Sequence, residues 1–256
     1  MADYDNRIIR GRTAEAGVID AGLRAYMLRV YNYMMVGLVL TGLAAYGAYA
    51  AALTTDPAAA AMTLRDGTML TSFGAAIFAS PLRWLFILAP LGAVLFINFR
   101  LQRMSVAGVQ TAFWVFAALN GLSLSVIFLV YAGGSIAEVF FITAAAFGGL
   151  SLYGYTTQRD LSAMGSFLIM GVWGLIIAMV VNMFLQSPMI MWVVSVIGVS
   201  VFAGLTAYDT QRIKEMYSAN DDGTLSGKKS ILGALALYLD FINMFIFLLQ
   251  LVGNRR

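Results

Sequence analysis

The sequence predicts an all-α fold, a polytopic membrane protein with seven transmembrane helices, and three observations carry that reading. Of its 256 residues 61% are hydrophobic and 11% charged, with a mean hydropathy of +0.82, too apolar for a water-soluble domain. Apolar runs of helix length recur seven times; at ~1.5 Å of rise per residue, about 20 residues cross ~30 Å of hydrocarbon. Basic residues concentrate in alternate connections between those runs, as they do in loops held on the cytoplasmic side.

The first run covers residues 25–53, and its start carries Tyr26, Tyr31 and Tyr33, aromatic rings suited to the membrane interface. Residues 54–83 are small, polar and turn-forming, and predict a loop with a short interfacial piece. The second run, 84–99, holds Pro90, which is expected to kink it, and is followed by Arg100 and Arg103. The third covers 106–131, the fourth 136–155 and the fifth 164–185, where Ser187 and Pro188 make a turn. The sixth covers 189–210 and the seventh 230–253. Residues 1–24 are charged but lack a short apolar core followed by a small-residue cleavage site. They read as an uncleaved cytoplasmic tail ahead of one transmembrane domain, 25–256.

Arg7, Arg10, Arg12, Arg24, Arg100, Arg103, Arg159, Arg212, Lys214, Lys228 and Lys229 all fall on the side of the N-terminus. Arg65, Arg83, Arg255 and Arg256 fall on the other. The N-terminus is therefore expected in the cytoplasm and, with seven spans, the C-terminus outside. The C-terminal arginine pair favours the alternative, a shallow or re-entrant last segment.

Cysteine and histidine are absent. No disulfide, thiol nucleophile or thiolate metal site exists, and any response between pH 5 and 8 must come from carboxylates in unusual surroundings. The net charge of +3 is small and its basic residues flank apolar segments, so it sets topology and forms no nucleic-acid patch. Motifs for nucleotide binding, metallohydrolysis and intramembrane proteolysis do not occur, and the chain reads as a non-enzyme that requires no cofactor. Gly42, Ala45, Gly47, Gly148, Gly149 and Gly154 read as small residues for close helix packing. Asn120 and Asn182 read as packing amides, and Glu138 as a carboxylate at the positive end of the fourth helix. Asp221 and Asp222 resemble a fragment of a calcium loop, but the repeated acidic pattern is missing and a solvated turn is the better reading.

One acid stands apart. In SILGALALYLDFINMFIFLLQLVG, residues 230–253, Asp240 is the single carboxylate, near the depth where ionisation is most costly. Asn243 and Gln250 share its helix face, so the polar stripe turns inward. A protonated Asp240 that only ties helices together is one reading; an acid that exchanges a proton or ligates a cation is the other. In GLTAYDTQRIKEMY, residues 204–217, Thr206 and Asp209 face the same way where the sixth helix turns polar. Asp209 alone reads equally well as a solvated helix end.

Together AYDTQRIK and LYLDFIN closely resemble the signature of the Bax inhibitor-1 family of transmembrane proteins, and LRVYNYMMVGLVLTG, FRLQRM and ALNGLSL are similar to bacterial members. The resemblance implies a bundle with the last helix at its centre and Asp209 paired with Asp240 as a pH-responsive site controlling a calcium leak, in a bacterial inner membrane. It places the family's basic latch on Arg103, with Arg100 as the neighbouring alternative. By helix-face spacing, Asn243 beside Asp240 and Thr206 beside Asp209 read as supporting polar residues. Two close carboxylates in a dry site cannot readily both ionise and so share a proton; losing it leaves four oxygens suited to calcium. The naive register conflicts with this, because Asp240 lies about 15 Å beyond its helix start and Asp209 near the cytoplasmic end of its own. Either the sixth helix begins outside the bilayer or the seventh begins in the cytoplasm near Gly227. Two other functions share the sequence: a regulator that docks a membrane AAA protease through residues 1–24, and a proton-coupled transporter of another cation or solute. Beyond the lipid bilayer and calcium ions no partner is required, and a monomer is the default.

Overall fold

The computed structural model describes residues 2–64 and 67–255, with side chains from residue 21 onward. Arg65, Arg256 and the side chains of Arg7, Arg10 and Arg12 lie outside that set. Seven helices are long and apolar enough to cross a membrane. They are α1 (Ala2–Ala52), α2 (Arg83–Arg100), α3 (Val106–Leu124), α4 (Gly133–Thr156), α5 (Ser162–Leu185), α6 (Pro188–Glu215) and α7 (Gly223–Val252).

Several boundaries move from their expected places. The α1 helix runs back through residues 2–24 without a break. Part of the loop after it is a small antiparallel hairpin, β1 (Met62–Thr63) against β2 (Met69–Leu70). Gly67 makes its turn at φ +84°, a conformation side chains rarely adopt. Helical turns Ser72–Gly74 and Ala75–Ala79 follow, the short piece expected there. The α2 helix stays helical through Pro90. The third run breaks early: α3 ends at Leu124, Ser125 Oγ donates to the Leu122 carbonyl at 2.6 Å, and only a turn, Ile127–Val130, continues it. A serine hydroxyl bonded to nearby backbone competes with helix propagation in this way.

The largest change is at the seventh helix, which starts at Gly223 rather than 230. Asp222 is its N-cap, accepting from the Leu225 amide, and Asp221 pairs with Lys229 at 2.6 Å. Both acids therefore serve the turn. At the far end, the Ala132 amide donates to the Asn254 carbonyl at 3.0 Å, and Tyr131 bridges Arg255. The α7 helix thus runs the length of the bundle to the end where α4 begins, and is long and apolar enough to span a membrane.

The last helix is central. Of its most apolar stretch 67% is buried, against 39% for α6 and 28% or less for the others. The helices α1, α3, α4 and α6 surround it, while α2 packs outside on α3 and α5 outside on α6. Close approach is made at particular glycines. A Cβ on Gly154 would strike the Ala207 carbonyl of α6, and one on Gly121 would strike the Thr41 carbonyl of α1. Gly42, Gly47, Gly148 and Gly149, expected to act likewise, face open space, so composition alone did not locate the tight crossings.

Candidate functional site

The α6 and α7 helices pack antiparallel. Ser195 Oγ donates to Gln250 Oε1 at 2.8 Å, Gly198 faces the Phe247 ring, and Gly233 faces Ile213. That register carries Asp209 past Asp240 within about one turn of helix, close enough for the two carboxyls to act on each other electrostatically. The conflict in depth is resolved by the early start of α7, which puts 17 residues, or about 25 Å, ahead of Asp240. Of the two resolutions open to the sequence, the early start of the last helix is the one the structure adopts.

The environment is dry and one-sided. Asp240 is 4% exposed, and its Oδ2 is buried with no donor in reach among the described residues. A buried carboxylate oxygen without a donor is costly, so a proton held between the two acids is the arrangement that satisfies both. Asp209 is half-buried, and Arg212, one turn along α6, acts on it electrostatically without forming an ion pair. No cluster of three acids exists among the described residues. The two acids supply four carboxylate oxygens, fewer than the six to eight oxygen ligands of a tight calcium site.

The supporting residues fall differently. Thr206 is fully buried, but its hydroxyl donates to Phe202 O at 2.8 Å. Asn243 Nδ2 donates to Leu239 O at 2.8 Å. Both bond their own helices rather than the acids. Arg100 ends α2 and Arg103 lies in the turn Leu101–Arg103; both are exposed, and neither pairs with an acid among the described residues. Lys228 instead ties α7 to that turn, donating to Leu101 O at 3.3 Å.

Two hydroxyl networks escaped notice in the sequence. Tyr31 OH lies 2.6 Å from Ser151 Oγ, which lies 3.0 Å from Thr210 Oγ1, linking α1, α4 and α6 beside Asp209. Tyr238 OH bonds Thr41 Oγ1 at 2.6 Å and accepts from Asn120 at 2.8 Å, linking α7 to α1 and α3. The Thr206–Thr210 spacing on one α6 face was the available signal for the first. Asn120 is thus a packing amide as expected, whereas Asn182 accepts from the Ser187 amide at the turn between α5 and α6. Glu138 is exposed and beyond the first turn of α4, too far along to meet the helix dipole as expected.

Comparison with known proteins bears on this arrangement. The profile of the family described as "Inhibitor of apoptosis-promoting Bax1" matches residues 23–256. The chain belongs to the Bax inhibitor-1 family. Among its relatives, protein RP147 of Rickettsia prowazekii is 44% identical over the full length of both chains. The inner membrane protein YbhL of Escherichia coli is 46% identical over 238 residues, covering 92% of this chain and 94% of its own. A membrane protein of Streptococcus pyogenes is 32% identical over 92% of this chain and 95% of its own. In this Bax inhibitor-1 family member, Asp209 and Asp240 lie at the contact between the central helix and α6.

Proposed function

We propose that this membrane protein is a pH-sensitive, calcium-permeable leak pathway of the bacterial inner membrane, with its N-terminus in the cytoplasm and the Asp209–Asp240 pair as its gate. The observation that carries the reading is the meeting of the two carboxyls at the α6–α7 contact, with one Asp240 oxygen buried and lacking a donor. Packing supplies no reason to keep two acids together there: an ionisable group within the membrane is expensive and marks ion or proton pathways. With one shared proton the pair is close to neutral and the interior stays closed. As pH rises the proton leaves and two negative charges face each other at short range. Calcium or a movement of Arg212 toward Asp209 then offsets them, and either one opens the α6–α7 contact. Four oxygens hold calcium weakly, which suits transit rather than storage.

The test is calcium uptake into proteoliposomes at a series of pH values. Uptake is expected to rise with pH, by up to about tenfold per unit on the rising limb for the loss of one proton, and Asp240→Asn to flatten that profile. A flat wild-type profile, or an unchanged one in Asp240→Asn, contradicts the reading. A second function rests on a different observation. The α1 helix is 51 residues long, about 76 Å, and so projects well beyond one membrane thickness. That projecting arm, residues 2–24, suits docking to a membrane protein such as an AAA protease; removing it should abolish such binding and leave calcium uptake intact.

A further inference from the structure

A groove of about 850 Å³ lies between α1 and α4, floored by Phe241 of α7. Neither acid lines it, and it takes no part in the function proposed above. Its walls are apolar and adaptable: Met27, Met34 and Met35 line one side, Phe140 and Phe147 the other. The two hydroxyls inside, Tyr31 and Ser151, lie 2.6 Å apart and satisfy each other, so the interior asks nothing polar of an occupant. The mouth is different. Arg24 sits there, exposed and without an ion pair among the described residues. Tyr155 lines the same end, and Lys214, outside the lining, caps it with Nζ 5.5 Å above its ring and 2.9 Å from its carbonyl, to which it donates. The groove is therefore greasy along its length and cationic at one end.

Its dimensions match one leaflet. From Arg24 to Leu38 is 14 residues of α1, about 21 Å, and one leaflet with its headgroups is half of ~40–45 Å. Leu28, Met35 and Leu152 on its rim are 53%, 62% and 63% exposed, so the groove opens sideways where lipid stands. A flat partner helix does not fill a concave slot with a cation at one end, whereas a single alkyl chain carrying an anion does.

We infer that this groove is a binding site for an anionic phospholipid, one acyl chain lying between α1 and α4 and the phosphate held at Arg24. Phosphate at such a site gains charge-assisted hydrogen bonds from the guanidinium. Gly148 is a groove-lining residue at which a Cβ meets open space, so Gly148→Leu fills the slot while leaving helix contacts in place.

The experiment is native mass spectrometry of the full chain, delipidated in detergent and supplied with dioleoyl phosphatidylglycerol, dioleoyl phosphatidylcholine or free oleate. Phosphatidylglycerol is expected to give one adduct that outlasts all others under collisional activation. Arg24→Gln should weaken it about fivefold, the loss of one basic residue's attraction to an anionic headgroup. Gly148→Leu should remove it, with Ala144→Leu, on the same wall, as the second variant should the first misfold by circular dichroism. Equal retention of phosphatidylcholine, or an adduct undiminished in both filled variants, overturns the site. Tighter retention of oleate than of phosphatidylglycerol overturns the phospholipid as its occupant.

Discussion

Two buried tyrosines of similar burial make opposite predictions when each loses its hydroxyl. Tyr238 is fully buried, with its OH bonded to Thr41 and Asn120; Tyr26 is 1% exposed, and its OH has no hydrogen-bond partner among the described residues. Tyr238→Phe keeps the ring, which packs edge-on against Phe113 and Phe116 with centroids 5.7 and 5.5 Å away. Only the two bonds are lost. Hydrogen bonds between transmembrane helices average about 0.6 kcal/mol and reach about 1.7. The Asn120 amide also loses its Tyr238 partner, and an unsatisfied donor adds about 1–3 kcal/mol when buried. Asn120 is half-buried, which places the total at about 2 kcal/mol. Tyr26→Phe breaks no bond and removes an orphaned hydroxyl, so it should be neutral or stabilising. Reversible unfolding in mixed dodecyl maltoside and SDS micelles, followed by circular dichroism, measures both. If Tyr238→Phe changes stability by less than about 0.5 kcal/mol, or Tyr26→Phe costs as much as Tyr238→Phe, the hydroxyl networks are not what joins these helices.

Gly154→Ala puts a methyl against the Ala207 backbone and should cost about 1–3 kcal/mol in the same assay, whereas Gly148→Ala, in open space, should be silent. Lys229→Met removes the Asp221 pair and a 2.9 Å bond to the Met216 carbonyl. It should cost about 1–3 kcal/mol, between exposed and buried pairs, and more than Asp221→Asn. Asp160, in the connection between α4 and α5, is held below the usual carboxylate range by hydrogen bonds from Ser162. Its contribution to stability is present above the unfolded value and lost only as pH falls through the lowered one. It is therefore constant from pH 6 to 8, and melting temperatures of wild type and Asp160→Asn should run parallel over that window.

The sequence was most legible where a residue type has one physical solution in a membrane. Seven spans followed from hydropathy, and the central place of α7 followed from the family resemblance of its motif. Asp240 stood out because no other acid lies mid-run. Boundaries were less legible, since they depend on caps rather than hydropathy. Asp222 starts α7 seven residues ahead of its apolar run, through the polar SGKK stretch, and that shift alone brings Asp240 level with Asp209. Glycines were ambiguous because close approach is a property of two helices: Gly154 meets α6, yet Gly148 and Gly149 in the same helix meet nothing. The partners of Tyr31 and Tyr238 lie more than 100 residues away in sequence, beyond any periodicity. Arg103 followed from motif likeness and stands exposed, while Arg212, passed over as an interface marker, is the basic residue that acts on Asp209.

The central claim is that Asp209 and Asp240 form one titrating unit. With histidine absent, no other site in the described structure offers a comparable source of gating near neutral pH. The most direct measurement is the pH profile of calcium flux in proteoliposomes for wild type, Asp209→Asn, Asp240→Asn and the double variant. One shared unit predicts a pH-dependent wild type, two single variants that each lose the titration, and a double variant no different from either. Independent, additive shifts from the two substitutions, or a titration surviving in the double variant, would contradict the account.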